Sequence, residues 1–415
     1  MTTLSVKLQV VTFSMVSHLD LNMSNSFGGI LKVADVYEYV EQRNLKDKNF
    51  KHNVSLLYKN NARWIFPFYD IIAKVLFFWL RPKTGKKYFF LGTRFVHLIA
   101  ALPKNEVCII GGPRQLLFCL KNNISYVPNG NFWKVLSVGF NSAFEKKLSF
   151  LAYKMSVTLA SLADRSAQAI IIIENDSLPL QRTFCDISEK ANIKTVCIQH
   201  GLFQSKTDAK TIDGWECDYF ICYDTNQKNV ITGLGVNDDK LIIGGFYEPI
   251  SKKVALPFSY PIKICFFGQP WFKYGDVYKE KYLGILDKIS AEFLKKGIKY
   301  NFKPHPWETD APYLKTMDNV FNGSMSDAIR EHDVFISLTS TALLEVTMAG
   351  KIAVQIYDSQ FVCDNFEELG YAYSILSEDI EGTLSKTLKY PPYKLQMPDF
   401  TNLVSQIKKL TKVNM

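Results

Sequence analysis

Short, continuously apolar runs recur along this chain, separated by stretches with the spacing of helices. The runs are Val107–Ile110, Ala169–Ile173, Thr195–Gln199, Tyr219–Tyr223, Leu241–Ile243, Ile262–Phe267, Lys299–Lys303, Val334–Leu338 and Ile352–Ile356. They do not alternate apolar with polar residues, as a strand with one wet face would. Unbroken runs suit a parallel sheet covered by helices on both faces. Between them lie helical patterns, including Pro179–Asn192, Lys279–Lys296 and Ala342–Ala349. This order predicts an α/β protein built of βα units in two doubly wound sheets. Thr401–Val413 predicts a terminal helix.

The regular pattern lapses over Gly244–Pro261, which holds Gly244, Gly245, Pro249, Pro257 and Pro261. Glycine and proline at that density mark a connection. The chain has 415 residues, more than one hydrophobic core usually serves. Together these predict a first domain over residues 1–243, a linker over 244–261, and a second domain with the terminal helix over 262–415.

Composition narrows the class. With 47% hydrophobic and 21% charged residues, the chain is neither fibrous nor disordered. None of its eight cysteines forms a CxxC pair or a zinc-finger spacing with histidine. Several lie inside apolar runs, as Cys197 and Cys265 do, and read as small buried hydrophobes in a reducing compartment. The start carries no convincing secretory signal and no stretch is long enough to span a bilayer, so a cytoplasmic location is expected. The net charge of +9 suits an anionic lipid or substrate. No compact basic run interleaved with aromatics points to nucleic acid.

One segment stands apart. Trp64–Leu80 is rich in aromatic and aliphatic residues, with Asp70 and Lys74 as its only charges and Arg63, Arg81, Lys83, Lys86 and Lys87 flanking it. Base rates favour a packing helix. The alternative is a helix lying in a membrane interface, which implies peripheral association with the inner membrane.

The strongest chemical signal is Lys303-Pro304-His305-Pro306. A strand ends there, and two prolines fix the backbone around His305. The carboxyl edge of a parallel sheet is where open α/β folds bind ligands. An imidazole there can donate to a phosphate or protonate a leaving oxygen, and Lys303 adds charge. Next comes Ser337-Leu338-Thr339-Ser340-Thr341, where a strand empties into hydroxyls at a helix start. Such a cluster either caps the helix or cradles an anion. In the first half, Gln199-His200-Gly201 delivers a third candidate: His200 as general base, or as a structural histidine. Gly201 permits close backbone approach. Glu174 and Asp176 follow another strand, and either can act as base or orient His200, while Asp176 also suits an N-cap. There is no convincing Asp-x-Asp metal site, Walker loop or GxGxxG motif; no metal or cofactor is expected. Gly111-Gly112-Pro113-Arg114 reads as a turn, with a phosphate or sugar contact as the alternative.

Lys303-Pro304-His305-Pro306 with Leu338-Thr339-Ser340-Thr341 resembles the HP and Ser/Thr motifs of bacterial sialyltransferases and polysialyltransferases. Gln199-His200-Gly201, Trp215-Glu216-Cys217-Asp218-Tyr219 and Gly233-Leu234-Gly235-Val236 resemble a wider set that includes capsule-type Kdo transferases. The resemblance spans about Ala169 to Gly350. It implies a GT-B-like fold, with two Rossmann-type domains facing a cleft, the acceptor on the first and the nucleotide-sugar on the second. It implies a CMP-sugar donor and a glycan or glycolipid acceptor in capsule, O-antigen or lipooligosaccharide. His305, Thr339, Ser340 and Thr341 would hold the phosphate, His305 doubling as general acid. Lys303, Gly268 and Glu345 complete the nucleotide set, and Gln199 and Gly201 would face the substrate. The sialyltransferase pattern has an acidic pair before the glycine; here Gln199 and His200 stand in those places. The alternatives are Kdo, CDP-glycerol, UDP-sugar or GDP-sugar transfer on the same fold, a UDP-sugar 2-epimerase-like isomerase, or a non-catalytic glycan-binding protein.

Overall fold

A computed structural model describes residues 82–138, 142–205, 216–249, 262–273, 275–308, 311–361, 363–387 and 389–412. The Trp64–Leu80 segment and most of the expected linker lie outside them.

The first sheet contains β1 (Tyr88–Leu91), β2 (Val107–Gly111), β3 (Ser125–Pro128), β4 (Ile170–Ile173), β5 (Lys194–Ile198), β6 (Tyr219–Cys222) and β7 (Leu241–Ile243). Its order is β3-β2-β1-β4-β5-β6-β7. The second contains β8 (Ile264–Phe267), β9 (Tyr300–Lys303), β10 (Val334–Ser337), β11 (Ile352–Tyr357) and β12 (Tyr373–Leu376), in the order β12-β11-β10-β8-β9. Every strand pairing is parallel. The sequence patterns thus give two doubly wound sheets, as expected.

The four isoleucines of β4 show why the runs are unbroken. Ile171 and Ile173 enter one hydrophobic core and Ile170 and Ile172 the other, all essentially inaccessible. Alternate side chains leave opposite faces, and both faces are covered. Burying each is worth at most about 2–3 kcal/mol. All eight cysteines are free thiols, and all but Cys185 are fully buried, as their apolar settings predict.

Three strands lie outside the predicted set. β1 is short and follows Lys86 and Lys87; β3 ends on Pro128; β12 is interrupted by Ser374. The last two are edge strands, where proline and half-burial are tolerated.

The terminal helix, Phe400–Leu410, does not pack where its place in the chain suggests. Leu403 and Ile407 lie in the core of the first sheet, beside Ile221. Asn402 Nδ2 donates to the Ile243 and Gly244 carbonyls at 3.2 and 3.1 Å. The chain therefore crosses back to the first domain at its end. Among the described residues no helix is long and apolar enough to cross a membrane.

Candidate functional site

The carboxyl ends of the two sheets face each other. Leu202 N, just after β5, donates to Thr341 Oγ1 after β10 at 3.2 Å. Tyr371 Oη donates to Asp224 Oδ1, beyond β6, at 2.8 Å, and Ser205 N donates to Asp364 Oδ2 at 2.7 Å. The loops that carry the candidate residues therefore meet across one cleft.

On the second domain the site is a connected network. β9 delivers His305 between Pro304 and Pro306. Its main-chain amide donates to Glu308 Oε2 at 2.9 Å, and its carbonyl accepts from Glu308 N at 2.8 Å. His305 Nδ1 accepts the Trp307 amide proton at 3.1 Å. A neutral ring that accepts at Nδ1 carries its proton on Nε2, so the ring is set as a donor.

Glu308, which the sequence patterns did not single out, holds this loop. It is fully buried and accepts from Tyr282 Oη at 2.9 Å and from Tyr313 Oη. Burial pushes its pKa up; hydrogen bonds from Tyr313, His305, Tyr282 and the Gln269 amide oppose that shift. Gly268 makes room for it. A Cβ there would lie 2.0 Å from Glu308 Oε2 and 2.8 Å from Phe302 Cζ. Gly268, expected at the nucleotide, is thus required by the carboxylate behind the His305 loop.

Gln269 joins the two sequence motifs. Its amide donates to Tyr282 Oη at 3.1 Å, and its Oε1 accepts from Thr339 Oγ1 at 3.0 Å. β8 lies between β9 and β10, so Gln269 and Thr339 flank the point where strand order reverses. That crevice is the ligand position in such sheets. Ser340 Oγ accepts from Ala342 N at 3.2 Å, as a capping residue does, while Thr341 ties the domains together. Lys303 departs from expectation. Strand alternation sends it to the face opposite Phe302, where its ammonium donates to the Gly323 carbonyl and lies 5.8 Å from the Phe321 ring centre. Its charge is thus held at Gly323, away from the expected phosphate contact.

Glu345 lies on the helix that follows, near Glu248, which comes after the first sheet. Burial, then the Glu248 charge, push it up to about 7. Below it the Tyr223 hydroxyl is fully buried and without a hydrogen-bond partner. Such a group is normally satisfied by water or a bound molecule.

On the first domain the strand order reverses between β1 and β4. Arg94, which follows β1, lies 3.6 Å from Glu174, which follows β4. Arg94 also hydrogen-bonds Tyr247 and acts on His200. It had no motif to announce it; only its place at the reversal of strand order marks it. His200 is half-buried, its ring hydrogen-bonding with the main chain at Glu174 and Ile198. Burial, and then Arg94, lower its pKa from 6.5 to about 4. It is neutral at physiological pH and a weak base.

Asp176 and Gln199 bond to partners within the first domain. Asp176 is fully buried and accepts the amides of Glu216 and Cys217 at 2.8 and 3.1 Å. It holds the Glu216–Cys217 loop, and the N-cap of the following helix is Leu178. Gln199 is 1% exposed, accepts from Tyr223 N at 2.8 Å and donates to Gly201 O at 2.8 Å and to Gln227 Oε1. Its amide is thus a cross-brace between loops. Around Gly201 a Cβ would meet nothing within 4 Å, so the space beside that backbone is open.

The His200 shift predicts a pH effect. The unfolded chain takes up this proton near pH 6.5 and the folded chain only near 4, so stability present above 6.5 is lost as pH falls between those values. His200→Asn is expected to flatten that part of a denaturant-midpoint profile. An unaltered profile would mean an ordinary, solvated imidazole.

No protein-family model matches the chain, and no curated protein does. Solved structures share its fold. UDP-GlcNAc 2-epimerase from Methanocaldococcus jannaschii is similar with a TM-score of 0.52 and 11% identity, over 78% of this chain and 98% of that one. The same archaeon's epimerase in complex with UDP-GlcNAc and UDP gives 0.50 and 11%, over 78% and 98%. The apo form of lipopolysaccharide outer core galactosyltransferase WaaB gives 0.45 and 12%, over 79% and 95%. At such identities the likeness is one of fold. The chain is an α/β protein of the GT-B type, with two Rossmann-like domains.

Proposed function

We propose that this chain is a glycosyltransferase that moves a sialic-acid-like sugar from a CMP-sugar to a hydroxyl of a surface glycan or glycolipid, without a metal. The single observation that carries the proposal is the network His305–Glu308–Gln269–Thr339 at the second domain's strand-order reversal. A CMP-sugar departs with one phosphate. One imidazole Nε2–H and a few hydroxyls are enough to take up the charge that develops there. In the reaction the bond from the anomeric carbon to the phosphate oxygen breaks, and one to the acceptor oxygen forms. The acceptor proton passes to the first domain, where Glu174 and His200 stand. Arg94 supports an acidic sugar, because its guanidinium suits a carboxylate. Glu345 is assigned to the nucleoside hydroxyls, which a carboxyl group can bind.

Calorimetric titration with CMP, CDP, UDP and GDP is expected to show CMP binding tightest. A preference for a nucleoside diphosphate would reject the sialyl reading in favour of UDP-sugar, GDP-sugar or CDP-glycerol chemistry; CMP-Kdo is separated by a donor assay.

A second reading is an isomerase, favoured by the two structures with TM-scores of 0.52 and 0.50, both of a UDP-GlcNAc 2-epimerase. It needs no acceptor. Interconversion of UDP-GlcNAc by the chain alone would establish it and displace the first.

A further inference from the structure

The helix Ser142–Leu162 buries Leu148, Ala152, Met155 and Leu159 in the first domain's core. Its opposite face is not an ordinary solvated one. Phe150, Tyr153 and Val157 are 43%, 45% and 53% exposed. Lys146, Lys147 and Lys154 are exposed beside them, and Lys154 Nζ lies 4.3 Å from the Phe150 ring centre. At about 100° per residue these six fall within an arc of about 120°. From Lys146 to Leu162 the helix has no acidic residue.

We infer that this face docks on an anionic lipid surface. Aromatic and aliphatic side chains flanked only by lysines suit the boundary between acyl chains and phosphate head groups. A second copy of the chain is a poorer occupant, because an isologous contact would set lysines against lysines. The Trp64–Leu80 segment is also a poor cover, since its flanks are basic too. The inference rests on this face alone and not on the donor.

Sedimentation of the full chain with vesicles tests it. Without nucleotide, the chain is expected to sediment with phosphatidylglycerol vesicles and to stay in solution with phosphatidylcholine. K146Q/K147Q/K154Q should lower partitioning roughly 100-fold, from about fivefold per lysine. F150S/Y153S/V157S should lower it at least about tenfold, with no rescue at low salt. Circular dichroism melting confirms that each variant folds, and nucleotide titration of the same samples reports the donor site separately. Three outcomes would overturn the inference: no sedimentation of the wild type, wild-type partitioning by both variants, or a light-scattering shift from dimer to monomer in F150S/Y153S/V157S with lipid binding intact.

Discussion

Replacing His305 with alanine is expected to lower transfer about a thousandfold and leave the melting temperature nearly unchanged. The loop is held through the main chain of His305, whose amide and carbonyl both bond Glu308, and alanine keeps both. What disappears is the Nε2–H that we propose donates to the departing phosphate. His305→Gln divides the role further, since its amide donates a hydrogen bond but transfers no proton. Partial recovery in that variant would mean hydrogen bonding to the phosphate; no recovery would mean proton transfer. Wild-type turnover in His305→Ala would sink the assignment.

Glu308→Ala is expected to be the more damaging change to the fold, costing about 3–5 kcal/mol. The carboxylate is buried and serves two tyrosine hydroxyls and two main-chain amides. Removing it takes the acceptor from Tyr282 Oη, Tyr313 Oη and the His305 amide and leaves a void against Gly268. Glu308→Gln keeps the volume but turns an NH2 toward those donors, so it should also destabilise. Activity should fall in both even where the protein is folded, because the loop that sets the His305 ring is no longer braced. Urea titration gives the first effect. Transfer at a temperature where the variant is fully folded gives the second, and normal kcat there would show that Glu308 serves stability alone.

Much of this architecture is written locally. Unbroken runs such as Ile170–Ile173 report burial on both faces, and that predicts parallel strands wherever they lie. His305 between two prolines, and Thr339 to Thr341 after a strand, announce strand-end chemistry by residue type and position. The partners of those residues are not announced. Gln269 has no motif, and it matters because β8 lies between β9 and β10. Arg94 matters because β1 and β4 are neighbours, although Arg94 and Glu174 stand 80 positions apart in the chain.

The same reason explains the reversals. Asp176, Gln199 and Lys303 have the right chemistry at the right strand ends, yet each side chain is taken by a partner elsewhere: Glu216 and Cys217, Gln227, and Gly323. The terminal helix reads as an amphipathic segment from its own period, but nothing in that period says which sheet it covers.

The sequence by itself determined the class of fold, the parallel sheets and the two motifs, because burial and backbone restriction leave their marks within a few residues. Only the tertiary structure decided which carboxylates face the cleft, what braces His305, and where the last helix docks. Those depend on strand order and on contacts between residues far apart in the chain, which no local pattern records.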